Sequence, residues 1–355
     1  MSHSALERAD RSAIVARPQE HAPAEYTDAD YTISAETARR LLSAKPDNTQ
    51  RAYDRNWGIF AQWCADESRV PLPATAQTLA DYVVRLIGIS LAPATIDQTI
   101  GTIRSRHADH GYEGQPGTRR VLELMRDYKH EWSDAGGRTK KATPILIDAL
   151  RLMAETCATD TAAGIRDRSL LLLGFNGMCR RSELSGLDIA DILEAGDEGV
   201  TLYIKYSKTD REAKGAEVSI PFGQHAATCA VRATRAWIAV LAEHGITSGA
   251  LYRPIDRHGH IGGEPDTAGR TASRLTGKSV GDIVHRRAVL AKLPGASGYT
   301  GHSLRSGAAT SAYLAGAPVA EIAKHGRWSE KSPVVLGYIR AVDQWRHNPM
   351  KGIGL

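Results

Sequence analysis

The sequence predicts a mainly α-helical protein with one small β-sheet, arranged as two domains. Apolar residues recur at helical spacing along most of the chain, whereas residues 200–206 alternate apolar and polar side chains with the period of a strand. Between two helical blocks lies DAGGRTKKAT, residues 134–143, whose glycines and basic residues are typical of a flexible linker. At 355 residues the chain is long enough for two domains, each with its own core.

The N-terminal block is predicted to be a compact helical bundle. Residues 1–33 have no sustained apolar period and are expected to form a loose tail. The bundle is expected over 34–133, with one helix capped by Asn48 and Thr49 and another starting after Pro93. The apolar positions that share helical spacing are Trp57, Phe60, Trp63 and Cys64, then Leu79, Tyr82, Val83 and Leu86, then Ile96, Ile100 and Ile103, and, after Thr118, Val121, Leu122, Leu124, Met125 and Tyr128.

The C-terminal block, residues 144–340, is predicted to combine helices with the sheet. Helices are expected around 146–153 and 166–175, where apolar residues dominate. The apolar members of the alternating segment, which ends at Tyr206, mark one buried face of a strand, and 217–220 is its expected partner in a hairpin.

Composition and charge limit the function classes. An apolar content of 42% is ordinary for a globular protein, and a net charge of +5 with a pI near 9.0 suits a nucleic-acid partner without requiring one. The chain has no run of about 18 apolar residues and no apolar signal core, so we expect a protein that neither spans a membrane nor is exported. The four cysteines lack CxxC spacing and are expected to be buried thiols of a reducing cytoplasm, not zinc ligands.

The strongest functional pattern lies near the C-terminus, where GHSLRSG, HGRW and VVLGYIR follow one another. His302 and Arg305 are three apart on a predicted helix and share one face, from which they can hold one phosphate. Ser332 as N-cap and Pro333 in the first turn predict a further short helix that carries Tyr338. Taken singly, an HxxR pair is usually a surface pair and a tyrosine in an apolar stretch is usually core. The ordered set of groups favours a functional site.

GHSLRSGAA followed by GRW and GYIR resembles the active-site motifs of the tyrosine recombinase (phage integrase) family, and is closest to its Cre-like members. FNGMCRRSELSGLDIADI resembles the first arginine motif of that family, and NTQRAYDRNWGIFAQWC resembles its N-terminal core-binding domain more weakly. The resemblance covers about residues 34 to 345. The fold that it implies is a two-domain DNA clamp, with a helical core-binding bundle and an α+β catalytic domain.

The resemblance also implies a set of catalytic residues. In the first arginine motif an Arg stands three residues before a Glu at the start of a helix, which gives Arg180 and Glu183 and leaves Arg181 ambiguous. The lysine of the family lies in the turn of a β-hairpin, where Lys208 is the best match and Lys214 the second. The remaining groups implied are His302, Arg305, Trp328 and the nucleophile Tyr338.

One spacing departs from the family. Tyr338 lies ten residues after Trp328, where Cre-like sequences have nine. Either the intervening loop holds one more residue or Trp328 is not the tryptophan of the motif. We favour the longer loop, because Lys331, Ser332 and Pro333 form a segment that tolerates insertion.

These residue types suit the attack of a phenol on a DNA phosphate. A tyrosine hydroxyl has an ordinary pKa near 10 and is a weak nucleophile until its proton is accepted. The five-coordinate phosphate carries negative charge that the guanidinium forks of Arg180 and Arg305 can bind. His302 and Trp328 would donate hydrogen bonds to the phosphate, while Lys208 would protonate the leaving 5′ oxygen. No metal site or cofactor is predicted, and the 3′-phosphotyrosine would be resolved by a second strand, through a Holliday junction, without ATP.

Double-stranded DNA with an inverted-repeat target site is therefore the expected partner. Basic residues lie beside the apolar stripes of the N-terminal helices and in the linker, where they can meet backbone phosphates. A solvated helix face explains any one pair of them equally well. The cations assigned to DNA binding are Arg51, Arg55, Arg104, Arg106, Arg119, Arg120, Arg138, Lys140 and Lys141.

The C-terminal segment, 341–355, either folds back on its own core or, as the resemblance implies, docks on a neighbouring protomer of a homotetramer that holds two DNA sites. We expect the docking. The function expected is site-specific recombination, for integration, excision or resolution, in the cytoplasm on a bacterial nucleoid, with a bacterial, phage or plasmid gene. The alternatives are a DNA-binding architectural or regulatory factor, and a type IB topoisomerase or telomere resolvase with the same chemistry.

Overall fold

The computed structural model describes residues 27, 29, 32–44, 47–139, 142–207, 212, 214–264, 272–329, 332–338, 350 and 353. The chain divides into two compact units, one that ends at Thr139 and one that begins at Lys140. Each unit has an apolar core of its own. The mainly helical architecture with one small sheet agrees with the fold class predicted from the sequence.

The first unit is a bundle of helices. Its core contains Phe60, Trp63 and Tyr82, whose rings contact one another. The buried ring of His107 accepts a hydrogen bond from the Ala74 N–H at Nε2, so its Nδ1 carries the proton that is donated to a backbone carbonyl. The helices are α1 (Ala35–Ala44), α2 (Asp47–Asp66), α3 (Ala76–Gly88), α4 (Pro93–Ala108) and α5 (Arg119–Asp134).

One boundary in this unit differs from the prediction. Helix α2 begins at Asp47, so Asn48 and Thr49 lie in its first turn and do not precede it. The short polar residues favoured at an N-cap are also tolerated in the first turn, and the sequence therefore does not fix the first residue of a helix. The starts after Pro93 and Thr118 are as predicted, because α4 begins at Pro93 itself and α5 at the residue after Thr118.

The second unit surrounds helix α7 with other helices and a sheet. Helix α7 is buried over most of its length and packs on α9 and α11. After α12 the chain is helical again over residues 333–338. The elements are α6 (Ile147–Glu155), α7 (Ala162–Asn176), α8 (Arg181–Gly186), β1 (Ile192–Glu194), β2 (Gly199–Ile204), β3 (Ala216–Pro221), α9 (Ala230–Glu243), α10 (Gly277–Leu290), α11 (Gly301–Leu314) and α12 (Val319–His325).

The sheet is antiparallel in the order β1-β2-β3. Val200, Leu202 and Ile204 face the core, and Leu202 pairs with Val218 across the predicted hairpin. The strand ends at Ile204, and Tyr206, which was assigned to the same apolar face, is 76% exposed. Strand β1 was not predicted, because three residues are too few to show an alternating pattern.

A buried charge network stabilises the second unit away from the sheet. The Asp167 carboxylate is fully buried and accepts hydrogen bonds from Arg166, Arg286 and Arg287. Burial would raise the pKa of Asp167, but the positive charges and hydrogen bonds of Arg166 and Arg287 outweigh it and lower the pKa. Removal of one partner from such a network leaves uncompensated charge in the core.

All four cysteines are buried and unbridged, as the sequence predicted. Burial raises the pKa of the Cys179 thiol to about 12 and that of Cys157 to about 11, so both remain protonated at neutral pH. Among the helices of the described residues, none is long and apolar enough to cross a membrane.

Candidate active site

The site starts where helix α8 begins. Arg180 is the N-cap residue, with extended backbone angles of φ −74° and ψ 153°. Its backbone N–H donates to Glu183 Oε2 at 2.9 Å, and its Nη1 donates to Glu183 Oε1 at 2.5 Å and to the Ser207 hydroxyl at 2.9 Å. The arginine and glutamate of the predicted motif are therefore joined at the start of a helix, and 16% of the Arg180 side chain is exposed.

The Glu183 carboxylate is the acceptor on which several cations converge. It is buried, and besides Arg180 it accepts a hydrogen bond from Arg327 Nη2 at 2.8 Å. The Arg305 Nη1 atom lies 3.9 Å from Glu183 Oε2, within range of Coulomb attraction but beyond a hydrogen bond. Burial would raise the pKa of Glu183, but Arg327 and the hydrogen bonds from Arg180 prevail and lower it, so the carboxylate is ionised.

Arg305 lies on α11 and is completely buried. Its Nη1 donates to the Met178 carbonyl and its Nη2 to the Gly326 carbonyl, which fixes the plane of the guanidinium. The Trp328 ring covers it, with the guanidinium carbon 3.8 Å from the ring centroid. Burial, followed by repulsion from Arg180, lowers the pKa of Arg305 to about 9, and the group remains charged at neutral pH.

His302 and Tyr338 are in direct contact. The imidazole Nε2 and the phenol oxygen are 2.5 Å apart, and the two ring centroids are 5.8 Å apart. His302 is exposed, yet partial desolvation and then the charges of Arg305 and Arg180 lower its pKa, so the ring is neutral. Burial raises the pKa of Tyr338, although Arg305 and Arg180 oppose the rise. The phenol therefore donates its proton to the imidazole in this hydrogen bond.

Trp328 connects these groups. Its ring packs against Tyr338 at a centroid distance of 5.9 Å and an interplanar angle of 62°, and it also contacts the Arg305 guanidinium. A side chain at Gly326 would clash with it, since a Cβ atom there would lie 1.8 Å from a carbon of the Trp328 ring. Because Arg305 is fully buried and packs against this ring, a phosphate can reach its guanidinium only after a side chain moves.

Three lysines lie in or beside the hairpin, and the structure describes two of them. Lys208 lies outside the described residues. Lys214 is exposed and forms an ion pair with Glu212. Lys205, at the end of β2, binds Asp188 at 2.7 Å and Asp191 at 3.0 Å, which raises its pKa and retains it as a structural cation.

Arg181, the ambiguous neighbour, is exposed at the first position of α8. Its Cβ lies 3.0 Å from the point where a Cβ on Gly301 would be, and its charge contributes to the lowered pKa of His302. Glu183 binds Arg180, the residue that we assign as the first arginine of the motif.

The cations assigned to DNA lie mostly on the surface of the first unit. Arg106 is half-buried over the Trp57 ring at 5.7 Å, on the contact between α2 and α4. Lys140 and Lys141 lie outside the described residues. The exposed members are Arg51, Arg55, Arg104, Arg119, Arg120 and Arg138.

Arg327 was not assigned a role from the sequence. It stands between Gly326 and Trp328 in HGRW and is held by Glu183 and by the carbonyls of Gly177 and Met178. Its position between two residues of the motif was the available signal. The contact with Glu183, 144 residues away in the chain, has no local pattern.

Known proteins are similar to this chain in sequence and in fold. Residues 147–344 match the model of the phage integrase family. The chain is 32% identical over 283 residues to an integrase/recombinase XerD homolog of Selenomonas ruminantium, over 79% of this chain and 78% of the relative, and 26% identical to the recombinase Cre of Escherichia phage P1, over 81% and 82%. Its fold is similar to that of the Tn1549 transposon integrase, with a TM-score of 0.55 and 14% identity, over 88% of this chain and 97% of the other.

Proposed function

The chain belongs to the phage integrase family of tyrosine-type site-specific recombinases, and we propose that Tyr338 is the nucleophile by which it cleaves and rejoins double-stranded DNA. The observation that carries this proposal is the 2.5 Å contact between the Tyr338 hydroxyl and His302 Nε2, beside two buried or partly buried arginines. A phenol in an ordinary apolar core needs no such neighbours.

The first chemical step that we propose uses this contact. The Tyr338 oxygen attacks phosphorus while its proton passes to His302 Nε2, the acceptor already in contact with it. His302 therefore acts in this step as a proton acceptor, which differs from the donor role toward the phosphate expected from the sequence. The bond from phosphorus to the 5′ oxygen breaks, and that oxygen takes a proton from Lys208, the role implied by the family resemblance. The DNA strand is then held as a 3′-phosphotyrosine with a free 5′ hydroxyl. Attack by a 5′ hydroxyl of another strand reverses each of these transfers.

The two arginines stabilise the transition state in different ways. Arg180 has an exposed edge and can bind a non-bridging oxygen as DNA arrives. Arg305 is covered by Trp328 and binds only when the phosphate or the entering strand moves that ring. The carbonyl contacts of Arg305 use one N–H of each terminal nitrogen, which leaves three of its five donors for the phosphate. In this proposal neither cleavage nor rejoining of the strand requires a metal ion or ATP.

DNA binding and assembly complete the proposal. The exposed arginines of the first unit and the linker contact backbone phosphates of an inverted-repeat site. Four protomers bind two sites and exchange strands through a Holliday junction in the cytoplasm, with 341–355 docked on a neighbouring protomer. The Tn1549 transposon integrase, which is similar in fold, was solved in complex with circular intermediate DNA. Deletion of the residues after Arg340 is expected to abolish tetramers on DNA in native mass measurements, whereas unchanged assembly would refute the docking.

The test is a covalent trap. Inverted repeats recovered from the DNA that flanks the gene are built into duplexes with a nick near each candidate phosphate, so that the released fragment diffuses away and the adduct accumulates. The recombinase gives an adduct that survives denaturation and is lost in Tyr338→Phe. Binding without an adduct indicates the architectural or regulatory factor. Relaxation of supercoiled plasmid without any preferred site indicates a topoisomerase.

A further inference from the structure

Arg327 has a backbone conformation that favours glycine. Its φ is +57°, in the left-handed region where a residue with a side chain is disfavoured. The side chain is nevertheless only 7% exposed, so a guanidinium has been placed in the protein interior on a strained backbone. Strain of this kind persists where the side chain contributes something that glycine cannot.

The contribution is visible in the contacts of the guanidinium. Nη1 donates to the carbonyls of Gly177 and His325, both at 3.1 Å. Nη2 donates to the carbonyls of Gly177 at 3.1 Å and Met178 at 3.2 Å, and to Glu183 Oε2 at 2.8 Å. Arg327 therefore connects the turn before α8 to the buried carboxylate.

Two guanidinium groups lie near Glu183 Oε2, and of these Arg327 forms the hydrogen bond whereas Arg305 does not. Oε1 binds Arg180 Nη1, whereas Oε2, the oxygen that binds Arg327, is also the one that lies 3.9 Å from Arg305 Nη1. Without Arg327, Oε2 would keep the Arg180 backbone N–H at 2.9 Å but would lose its contact with a cation, and the protein interior screens the attraction of another cation only weakly. Arg305, whose Nη1 lies 3.9 Å from Oε2, is the cation that would take the place of Arg327 there.

We infer that Arg327 is a positioning residue that occupies Glu183 and thereby keeps Arg305 available to the scissile phosphate. The inference rests on the proposed function, because it assigns Arg305 to the phosphate. It concerns residues 326 to 328 as a unit: the Gly326 carbonyl and the Trp328 ring hold Arg305 in place, and the residue between them holds the competing carboxylate away.

Three variants separate the contacts of the Arg327 guanidinium from the strain of its backbone. Arg327→Gly removes the guanidinium and relieves the strained φ, so loss of activity cannot be attributed to added strain. Arg327→Lys keeps a cation beside Glu183 but loses the planar fork that reaches the carbonyls. Glu183→Gln in the Arg327→Gly background removes the charge that would capture Arg305.

With the nicked duplex that the parent protein cleaves, Arg327→Gly is expected to lower the single-turnover cleavage rate by about tenfold or more, the scale of a misplaced catalytic group. DNA affinity, measured by fluorescence anisotropy, should be unchanged. The added Glu183→Gln should restore part of the rate, and Arg327→Lys should remain close to the parent. A purely structural role would instead lower the fraction of active protein and leave the rate of the active molecules unaltered. Arg327→Gly at the parental rate, or a double variant no faster than Arg327→Gly, would overturn the inference.

A second measurement needs no DNA. In a crystal structure of the Arg327→Gly protein, Glu183 Oε2 and Arg305 Nη1 should approach from 3.9 Å to hydrogen-bond distance. An unchanged separation overturns the inference even if cleavage by the variant is slow. Failure of the parent protein to form any adduct would count against the proposed function alone. If Arg327→Gly does not fold, Arg327→Lys decides: loss of cleavage in a folded Lys variant shows that occupation of Glu183 by a cation is not enough, and overturns the inference.

Discussion

Gly326→Ala tests whether the position of the Trp328 ring matters for cleavage. Gly326 has φ −80° and ψ 0°, which alanine adopts without strain, so the backbone is not perturbed. The new Cβ would lie 1.8, 2.2 and 2.8 Å from three carbons of the Trp328 ring. Carbon atoms pack at about 3.5–4.0 Å, and the ring must therefore move by roughly 2 Å.

That movement has two consequences. The ring leaves its place 3.8 Å from the Arg305 guanidinium and its contact with Tyr338. Loss of the cation–π contact together with overpacking should lower the free energy of unfolding by about 2–4 kcal/mol. Displacement of an active-site wall on this scale should lower the cleavage rate by about 100-fold.

The matched control is Gly337→Ala. Gly337 is exposed, directly precedes Tyr338 and lies in a helical segment, and a Cβ there would meet nothing within 4 Å. This change should leave cleavage unaltered and raise stability by about 0.5–1 kcal/mol. Both variants are compared by thermal unfolding and by single-turnover cleavage of the nicked duplex. A Gly326→Ala protein with parental stability and rate would refute the account of how Trp328 is held.

Three further predictions address stability, pH and DNA binding. Asp167→Asn should lower the free energy of unfolding by about 3–5 kcal/mol in denaturant titrations, because it leaves buried guanidinium groups uncompensated. Since the pKa of Asp167 is lowered in the folded protein, its contribution is present above the unfolded carboxyl pKa of about 3.9 and is lost as pH falls through the folded value. A difference in stability between the Asn variant and the parent that stays the same at acid pH would contradict this. The cleavage rate should fall on acidification with a midpoint below about pH 6.5, because the pKa of His302 is lowered and only the neutral ring accepts the Tyr338 proton. A midpoint above that pH, or an unchanged pH profile in His302→Gln, would exclude this role of His302. Arg104→Ala should weaken DNA binding uniformly across sequences and reduce the slope of log K against log salt by about 0.9, whereas an unchanged slope in anisotropy titrations would remove Arg104 from the phosphate contacts.

Local patterns in the sequence predicted the local parts of the structure. The alternation over 200–204 gave β2 and its pairing with β3, because a half-buried strand repeats every two residues. Ser332 and Pro333 gave the start of the helical residues 333–338, where the Val334 N–H donates to the Ser332 hydroxyl at 3.3 Å. Both patterns depend only on neighbours in the chain.

The arrangement around Glu183 was less accessible, because it depends on contacts between distant segments. His302 and Arg305 both lie on α11, as predicted. The His302 side chain lies at the surface, where it contacts the Tyr338 hydroxyl, whereas the Arg305 side chain is buried and donates to two carbonyls. Helical spacing gives the direction in which a side chain starts, and the length of arginine lets packing decide where it ends. The left-handed backbone of Arg327 and its contact with Glu183 likewise follow from tertiary structure.

The most direct test of the central claim is to identify the residue that carries DNA. A trapped adduct is digested with nuclease and protease, and the modified peptide is sequenced by mass spectrometry. The account predicts a nucleotide attached through its 3′ phosphate to the oxygen of Tyr338, and no adduct in Tyr338→Phe. An adduct on another residue, or one that persists in the Phe variant, would contradict it.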